Sequence, residues 1–407
     1  VVSEGTHRLL ENIFTFELRG EKTLKGISKP VTIWQVVGEN SAYKTSGFVA
    51  SLDLTELIGR TDIMSVFSKC WDRACNGETE IVLLASDPGV GKSRILHEFY
   101  DTLKGTELSI AFWFCSSFDS SSPFHPVVQF LEKLAGIETN DDITTRTDKL
   151  HQCLTELEIT DSESTTLTLE FLGIPPGPHY KPLAISSQKK RSRTFEVILR
   201  LLKQLSVEKP LFVAVEDVQW ADPSTVELLD QIISRFRDQR ILLIISYRSE
   251  FIPPWAGQSN ISQYTLNHFN REESSKMVAA VADYHELPAQ LLDMILERTD
   301  GIPLFIEELT KSILDLNLLE KDGKRYIANK PFDSLTIPES LHDSLLARLD
   351  TLGTAKELAQ IGAVNGPQFP HELIAKRTTI HRTTLEDSMT TLQTSGLVSR
   401  HGNGEDA

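Results

Sequence analysis

The segment Ser86-Asp87-Pro88-Gly89-Val90-Gly91-Lys92-Ser93 combines the residue types that hold a polyphosphate. Gly89 and Gly91 free successive backbone N–H groups to wrap phosphate oxygens, Lys92 reaches the outer phosphates, and Ser93 offers a hydroxyl to a divalent cation. The segment lies between an apolar run, Ile81 to Ala85, and the helix-like stretch SRILHEFYDTL. A helix N-terminus placed there adds its partial positive charge at the anion. The pattern G-x-x-x-x-G-K-[ST] is met at every fixed position except the first, where the small residue Ser86 stands for Gly. The plainer reading, a Gly-rich turn before a helix, is outweighed by the Lys-Ser pair and by the carboxylates downstream.

Those carboxylates are Glu216 and Asp217, which end a second apolar run, Leu211 to Val215. Two adjacent acids at a strand end suit a magnesium shell and the orientation of an attacking water. Spacing alone leaves open which acid takes which part, although the usual h-h-h-h-D-[DE] register puts Glu216 at the metal position and Asp217 at the catalytic one. A third run, Ile241 to Ser246, leads into Tyr247 and Arg248, where a cation can sense a terminal phosphate. A solvated arginine is the competing reading. Asp222-Pro223-Ser224 opens a helix, with Ser224 and Glu227 at capping-box spacing, so Asp222 reads as structural. The basic run Lys189, Lys190, Arg191 and Arg193 reads as solvated surface. Cys115 and His125 lack partners at catalytic spacing.

Positioning these groups takes a layered fold. From Leu57 to about Glu250 buried strands alternate with amphipathic segments, the β-α succession of a parallel sheet covered on both faces. From about Asn270 helical spacing takes over, in Lys276 to Ala282, Ala289 to Arg298 and Pro303 to Leu314. Helices continue over Ile337 to Asp350 and Glu357 to Val364, and Thr384 to Thr394 followed by GLVSRHGNG has the look of a helix running into a β-wing. At the other end, residues 1 to 38 read as a helix end and two strands, in which Phe14, Phe16 and Leu18 alternate and then Val31, Ile33 and Val36 recur. The polar stretch 39 to 56 reads as a linker.

A chain of 407 residues predicts about 2.7 domains at roughly 150 residues each. The net charge of -16 disfavours unspecific nucleic-acid binding. The five-residue apolar runs fall far short of the ~20 residues that cross a bilayer. Four cysteines with neither a C-x-x-C pair nor histidines at zinc spacing fit a reducing cytoplasm. The chain starts at Val1 without a signal-peptide succession and reads as a piece of something longer.

With these motifs assembled, the chain resembles the bacterial multidomain proteins in which a nucleotide cyclase domain precedes a STAND-class, AAA-like P-loop ATPase. LIGR at Leu57 to Arg60 looks like the box that opens the family's nucleotide-binding region, SDPGVGKS like its Walker A and VEDVQWADPSTVELL like its Walker B segment. ISYRSE is similar to the sensor strand, TDGIPLFIEEL to the helical-lid segment and IPESLHDSLLARLDTL to the start of a winged helix. VSEGTHRLL and FELRGEKTLKGISKPVTIWQVV look like the last helix and strands of a class III cyclase domain. The chain departs from the pattern at Ser86 and at Gln219, where the family commonly has His before Trp220.

The resemblance implies a cyclase tail at 1–38, a linker at 39–56, a P-loop NTPase core at 57–265, a helical lid at 266–330 and a truncated winged-helix-like domain at 331–407. It implies ATP with Mg2+, nucleotide contacts from Ile58, Gly59, Arg60, Pro88, Gly89, Val90, Gly91, Lys92, Ser93, Arg94 and Pro303, metal contacts from Ser93, Glu216 and Asp217, and catalytic parts for Glu216, Asp217 and Arg248. It further implies slow hydrolysis, a nucleotide-dependent switch or oligomer, a cyclase domain and other protein modules as partners, and cyclase chemistry only upstream of this chain. Two other readings are a transcription regulator with a DNA-binding winged helix and a nucleotide-binding scaffold without turnover. Charge opposes DNA: residues 331–407 hold 6 Lys or Arg against 10 Asp or Glu, and Thr383 to Ser395 has no basic residue.

Overall fold

The computed structural model describes residues 2–3, 14–22, 31–39, 56–117, 122–138, 141–176, 180, 183–315, 319–323, 325–328 and 354–365, with single positions at 385, 388, 389, 391 and 392. Val1–Leu54 and Thr55–Ala407 form two separate compact units. The first is an antiparallel sheet of order β1-β3-β2, made of β1 (Val2–Ser3), β2 (Phe14–Lys22) and β3 (Val31–Glu39). Val2 pairs with Trp34, and Lys22 with Val31. Val2 and Ser3, expected at a helix end, are therefore strand. Here the β-branched Val2 joins an edge that β3 leaves open. The rest of the expected helix lies outside the described residues.

The second unit begins with α1 (Thr61–Cys75), β4 (Thr79–Ser86), α2 (Lys92–Thr102) and β5 (Ser109–Phe114). Helices α3 (His125–Leu134), α4 (Ile143–Glu156), α5 (Ser162–Phe171) and α6 (Ser187–Glu208) lead to β6 (Leu211–Glu216). Then come α7 (Pro223–Arg235), β7 (Ile241–Arg248) and β8 (Ser262–Thr265). The five strands form one parallel sheet in the order β5-β6-β7-β4-β8. The three apolar runs are its centre, and the expected α/β fold with a parallel sheet is what the chain adopts. β5 and β8 are the edges.

Both faces of the sheet are buried, and the strand pleat divides the core in two. Ile81, Leu83, Val213, Val215, Leu243 and Ile245 face a layer built with Phe130, Leu154, Phe195, Leu201 and Leu229 of the helices α3 to α7. Val82, Leu84, Phe212, Ala214, Leu242 and Ile244 face the other layer, with Phe67 and Trp71 of α1 and Ile95 and Phe99 of α2. Each fully buried Leu, Ile or Phe contributes about 1.5–3 kcal/mol, so continuous apolar strands, with no polar alternation, are what this double covering requires.

A third core joins α8 (Arg271–Val281), α9 (Ala289–Thr299) and α10 (Pro303–Asp315) around Met277, Leu291, Ile295, Ile306 and Leu309. α8 starts with a full capping box between Asn270 and Glu273. The strands do not stop at 270 as expected, because β9 (Leu319–Asp322) and β10 (Arg325–Ala328) form an antiparallel hairpin after α10. Lys-Asp-Gly at its turn, with Gly323 at φ +61°, outweighs the helical trend. Farther on, α11 (Thr354–Asn365) supplies Ala355 and Leu358 to a small cluster with Leu385 and Leu392. The expected helix at 337–350 and the wing after Thr394 lie outside the described residues.

Candidate functional site

β4 delivers the loop. Its last residue, Ser86, is fully buried and sits beside Arg248 in the parallel register with β7. Gly89 at φ +79° and Gly91 at φ +104° turn the chain, and Gly91 is the N-cap of α2, so Lys92 and Ser93 occupy the first helical turn. The buried Lys92 ammonium donates to the Ser86 carbonyl at 3.2 Å, the Ser86 hydroxyl at 3.2 Å and the Asp87 carbonyl at 3.5 Å. Burial pushes its pKa below the ordinary lysine value, and Asp217 opposes that shift. The loop's own oxygens thus hold the cation at the base of the loop. Ser86, the departure from the usual glycine, supplies one of them and donates to the Asp87 carbonyl at 3.0 Å.

The strand order brings the other groups near. β7 lies between β4 and β6, so the ends of all three strands stand side by side. Glu216 is 5% exposed, with Oε1 3.5 Å from Nε2 of His97 and with Oε2 buried and free of any hydrogen-bond partner. Asp217 has left-handed backbone, φ 54° and ψ 48°, a strained conformation that an aspartate tolerates. Its N–H donates to the Ser246 hydroxyl at 3.1 Å, and its Oδ1 accepts from the Gln219 amide at 3.1 Å. Gln219 Oε1 in turn accepts the Arg248 N–H at 3.2 Å. The Arg248 guanidinium lies 5.4 Å over the Trp220 ring. Asp217, Arg248, Asp87 and Glu250 are the charges that act on Lys92, so Asp217 and Arg248 of the expected set act electrostatically on the loop's lysine, whereas Glu216 faces His97 of α2.

The remaining expected residues gather on the helical side. Ile58 packs against the third core. Gly59, at φ +65°, leaves room for Glu273, which a Cβ there would strike. Arg60 is 8% exposed, donates to the carbonyls of Asn267 at 3.0 Å and Val90 at 3.1 Å, and lies 4.6 Å over the Phe269 ring. Its burial, which lowers its pKa, is opposed by Glu273. Pro303 opens α10, and the next N–H, of Leu304, donates to the Gly89 carbonyl at 3.1 Å. His268 bridges the two parts, 3.2 Å from Asp87 Oδ2 and 2.9 Å from the Asp300 carbonyl. Pro88 is exposed on the loop, and Arg94 pairs with Glu98 at 3.4 Å along α2.

Several other groups take structural parts. Asp222 is the N-cap of α7, accepting from the N–H groups of Ser224 at 2.9 Å, Thr225 at 3.2 Å and Phe124 at 3.0 Å. Ser224, expected at the cap position, is therefore inside the helix, because Pro223 takes the first helical position. Lys190, Arg191 and Arg193 pair with Glu170, Glu227 and Glu163. Burial pushes the Cys115 thiol to about 12, far from reactive. The sequence reading missed His97, Ser246, His268 and Leu304. Only His97 left a legible trace, its place one turn after Ser93 on the same helix.

Lys92, the glycine backbone and a buried, unpartnered carboxylate oxygen fit a magnesium–polyphosphate: hard oxygen donors suit a hard cation that keeps much of its shell on phosphates and water. Residues 56–245 match the AAA ATPase domain family. Residues 56–245 are an AAA-like P-loop ATPase domain. Around this ATPase domain the likeness runs further. The chain is 27% identical over 413 residues to an uncharacterized protein of Rhizobium meliloti (strain 1021), covering 98% of this chain and 38% of that protein. It is 20% identical over 314 residues to adenylate cyclase type 10 of Mus musculus, covering 74% of this chain and 19% of that one. The chain thus spans well under half of either curated relative. Among solved structures, the signal transduction ATPase with numerous domains with a tetratricopeptide repeat sensor from Pyrococcus horikoshii aligns at TM-score 0.44 and 11% identity, over 86% of this chain and 40% of that one. No helix among the described residues is long and apolar enough to cross a membrane.

Proposed function

We propose that the chain is an ATP-binding, slowly hydrolysing signal-transduction ATPase module of a cytoplasmic, multidomain nucleotide cyclase-type regulator, working as a nucleotide-dependent switch. The observation that carries this reading is a pair of links between the lid segment and the phosphate loop: Leu304 N–H donates to the Gly89 carbonyl, and Arg60 of the core donates both to the Val90 carbonyl and to the Asn267 carbonyl. A ligand that reshapes the loop acts on the lid through both. Lys92 would leave the Ser86 and Asp87 oxygens for the β and γ phosphates. Ser93 and Glu216 would hold Mg2+, which when bound neutralises phosphate charge. Asp217 would orient the water, with Gln219 and Ser246 fixing its place, and Arg248 would lie near the γ-phosphate.

In this reading 1–38 are the tail of a class III cyclase domain, 39–56 a linker, 57–265 the core, 266–330 the lid and 331–407 a winged-helix-like module that contacts protein rather than DNA. The distant likeness to a mammalian adenylate cyclase supports the cyclase link, and nucleotide-dependent assembly is part of the proposal. Calorimetry of ATP with Mg2+ is expected to give binding that Lys92→Ala weakens strongly, together with a measurable turnover. Unchanged affinity in the variant refutes the phosphate-loop assignment. Binding without turnover leaves the scaffold reading in its place.

A further inference from the structure

Glu216 is a long carboxylate in a tight place. It ends β6, is 5% exposed, and keeps Oε2 buried without a partner while Oε1 lies 3.5 Å from His97 Nε2. A carboxylate oxygen buried without a donor is unfavourable unless a ligand completes it. One neighbour restrains it. His97 stands on α2 one turn beyond Ser93, at i+4, so the two side chains share a helix face. The imidazole stacks on Phe112 of β5, with centroids 5.3 Å apart and planes at 9°. That stacking fixes the plane of the ring, and so fixes where Nε2 points. The ring is itself largely buried, with 13% of the side chain exposed.

We propose that His97 is a positioning residue for the cation of this site: it tethers Oε1 of Glu216 so that Oε2 is presented to a magnesium ion on the ATP phosphates. The inference rests on the ATP-binding reading above and adds to it a residue that no pattern of the loop or of the acid pair contains. The reason is conformational. Glu has one more rotatable bond than Asp, and an untethered Glu216 loses more freedom on meeting the ion. An Nε2–H donor on Oε1 removes that freedom in advance, as outer partners of metal ligands do. The tether comes from the same helix that the loop opens into, one turn further on, so ion, phosphates and Glu216 are set by one rigid element.

The test uses the 407-residue chain and reads ATP affinity by calorimetry with Mg2+ and with EDTA, which isolates the gain due to the ion and takes binding, rather than turnover, as its readout. His97→Ala is expected to leave affinity in EDTA unchanged and to cut the magnesium gain by about 10- to 100-fold, the range for loss of an outer metal-site partner. His97→Phe keeps the ring on Phe112 but has no donor, and is expected to lose the gain equally. It also serves if the alanine variant fails to fold. His97→Gln retains a donor and is expected to restore most of it, as is His97→Ala combined with Glu216→Asp, in which the shorter acid needs no tether. Loss in His97→Ala with a full gain in His97→Phe means that stacking alone matters and overturns the proposal. So does a gain that His97→Ala leaves intact. A wild-type chain that binds no ATP overturns the parent reading, and this inference with it.

Discussion

The N–H of Leu304 donates to the carbonyl of Gly89 across 3.1 Å, a backbone-to-backbone bond from the first turn of α10 onto the glycine loop that opens α2. It depends on a close approach, since a Cβ on Gly89 would lie 3.1 Å from Ile302 and 3.2 Å from Leu304. Gly91, also left-handed, has open space where its Cβ would be. Both alanine variants lose about 1–2 kcal/mol from the backbone alone. Only Gly89→Ala is expected to push α10 away, seen as faster hydrogen exchange at the Leu304 amide. Equal exchange in the two variants would show that the contact does not depend on that approach.

Lys92 is buried with its pKa lowered. Replacing it by Met removes a buried charge, so thermal stability is expected to hold or rise while ATP affinity falls about 10- to 100-fold, the value of one or two charge-assisted hydrogen bonds. Phosphates stabilise the charged form and raise the pKa again. Binding therefore takes up protons on the alkaline side, where free Lys92 has begun to lose its proton. Calorimetry in two buffers of different ionisation heat measures this uptake, and Lys92→Met should abolish it.

Asp217→Asn keeps the left-handed backbone, which Asn tolerates, while removing the charge that would orient or accept from water. Turnover is expected to fall about a hundredfold or more with nucleotide affinity nearly constant. An equal loss of binding would make Asp217 chiefly a metal ligand.

Asp222→Ala should cost about 2 kcal/mol, combining a lost N-cap with the Phe124 N–H left unpaired. Chemical denaturation measures the loss. Affinity for ATP is expected to stay, because the Asp222 oxygens are taken up by the backbone N–H groups of α7 and Phe124.

The Asp87 carboxyl is held below its ordinary value of 3.8 by a hydrogen bond from Ser249 and then by His268. A depressed pKa contributes stability that is complete above the unfolded value and is lost as pH falls through the folded one. The stability difference between wild type and Asp87→Asn is therefore expected to be level near neutrality and to shrink below pH of about 4. A difference that grows in acid would reverse the assigned sign.

Much of this could be read from residue order. The run SDPGVGKS after an apolar strand determined a phosphate loop, because glycine conformations and a helix start are local matters that a few residues settle. Three apolar runs without alternation determined a sheet covered on both faces, and the acids at the end of the second run were legible for the same reason. Strand order was not. Only the tertiary structure placed β7 between β4 and β6, which is what brings Arg248 beside Ser86 and lets Gln219 join Asp217 to the Arg248 backbone. The partners of Glu216, Arg60 and Gly89 come from His97, Asn267 and Leu304, separated from them by more than a hundred residues in each chain path. Contacts at such separations leave no period or spacing behind. They are decided when the three cores pack, because burial asks of each side chain only that it fit, and the hydrogen bonds that follow depend on which surfaces meet.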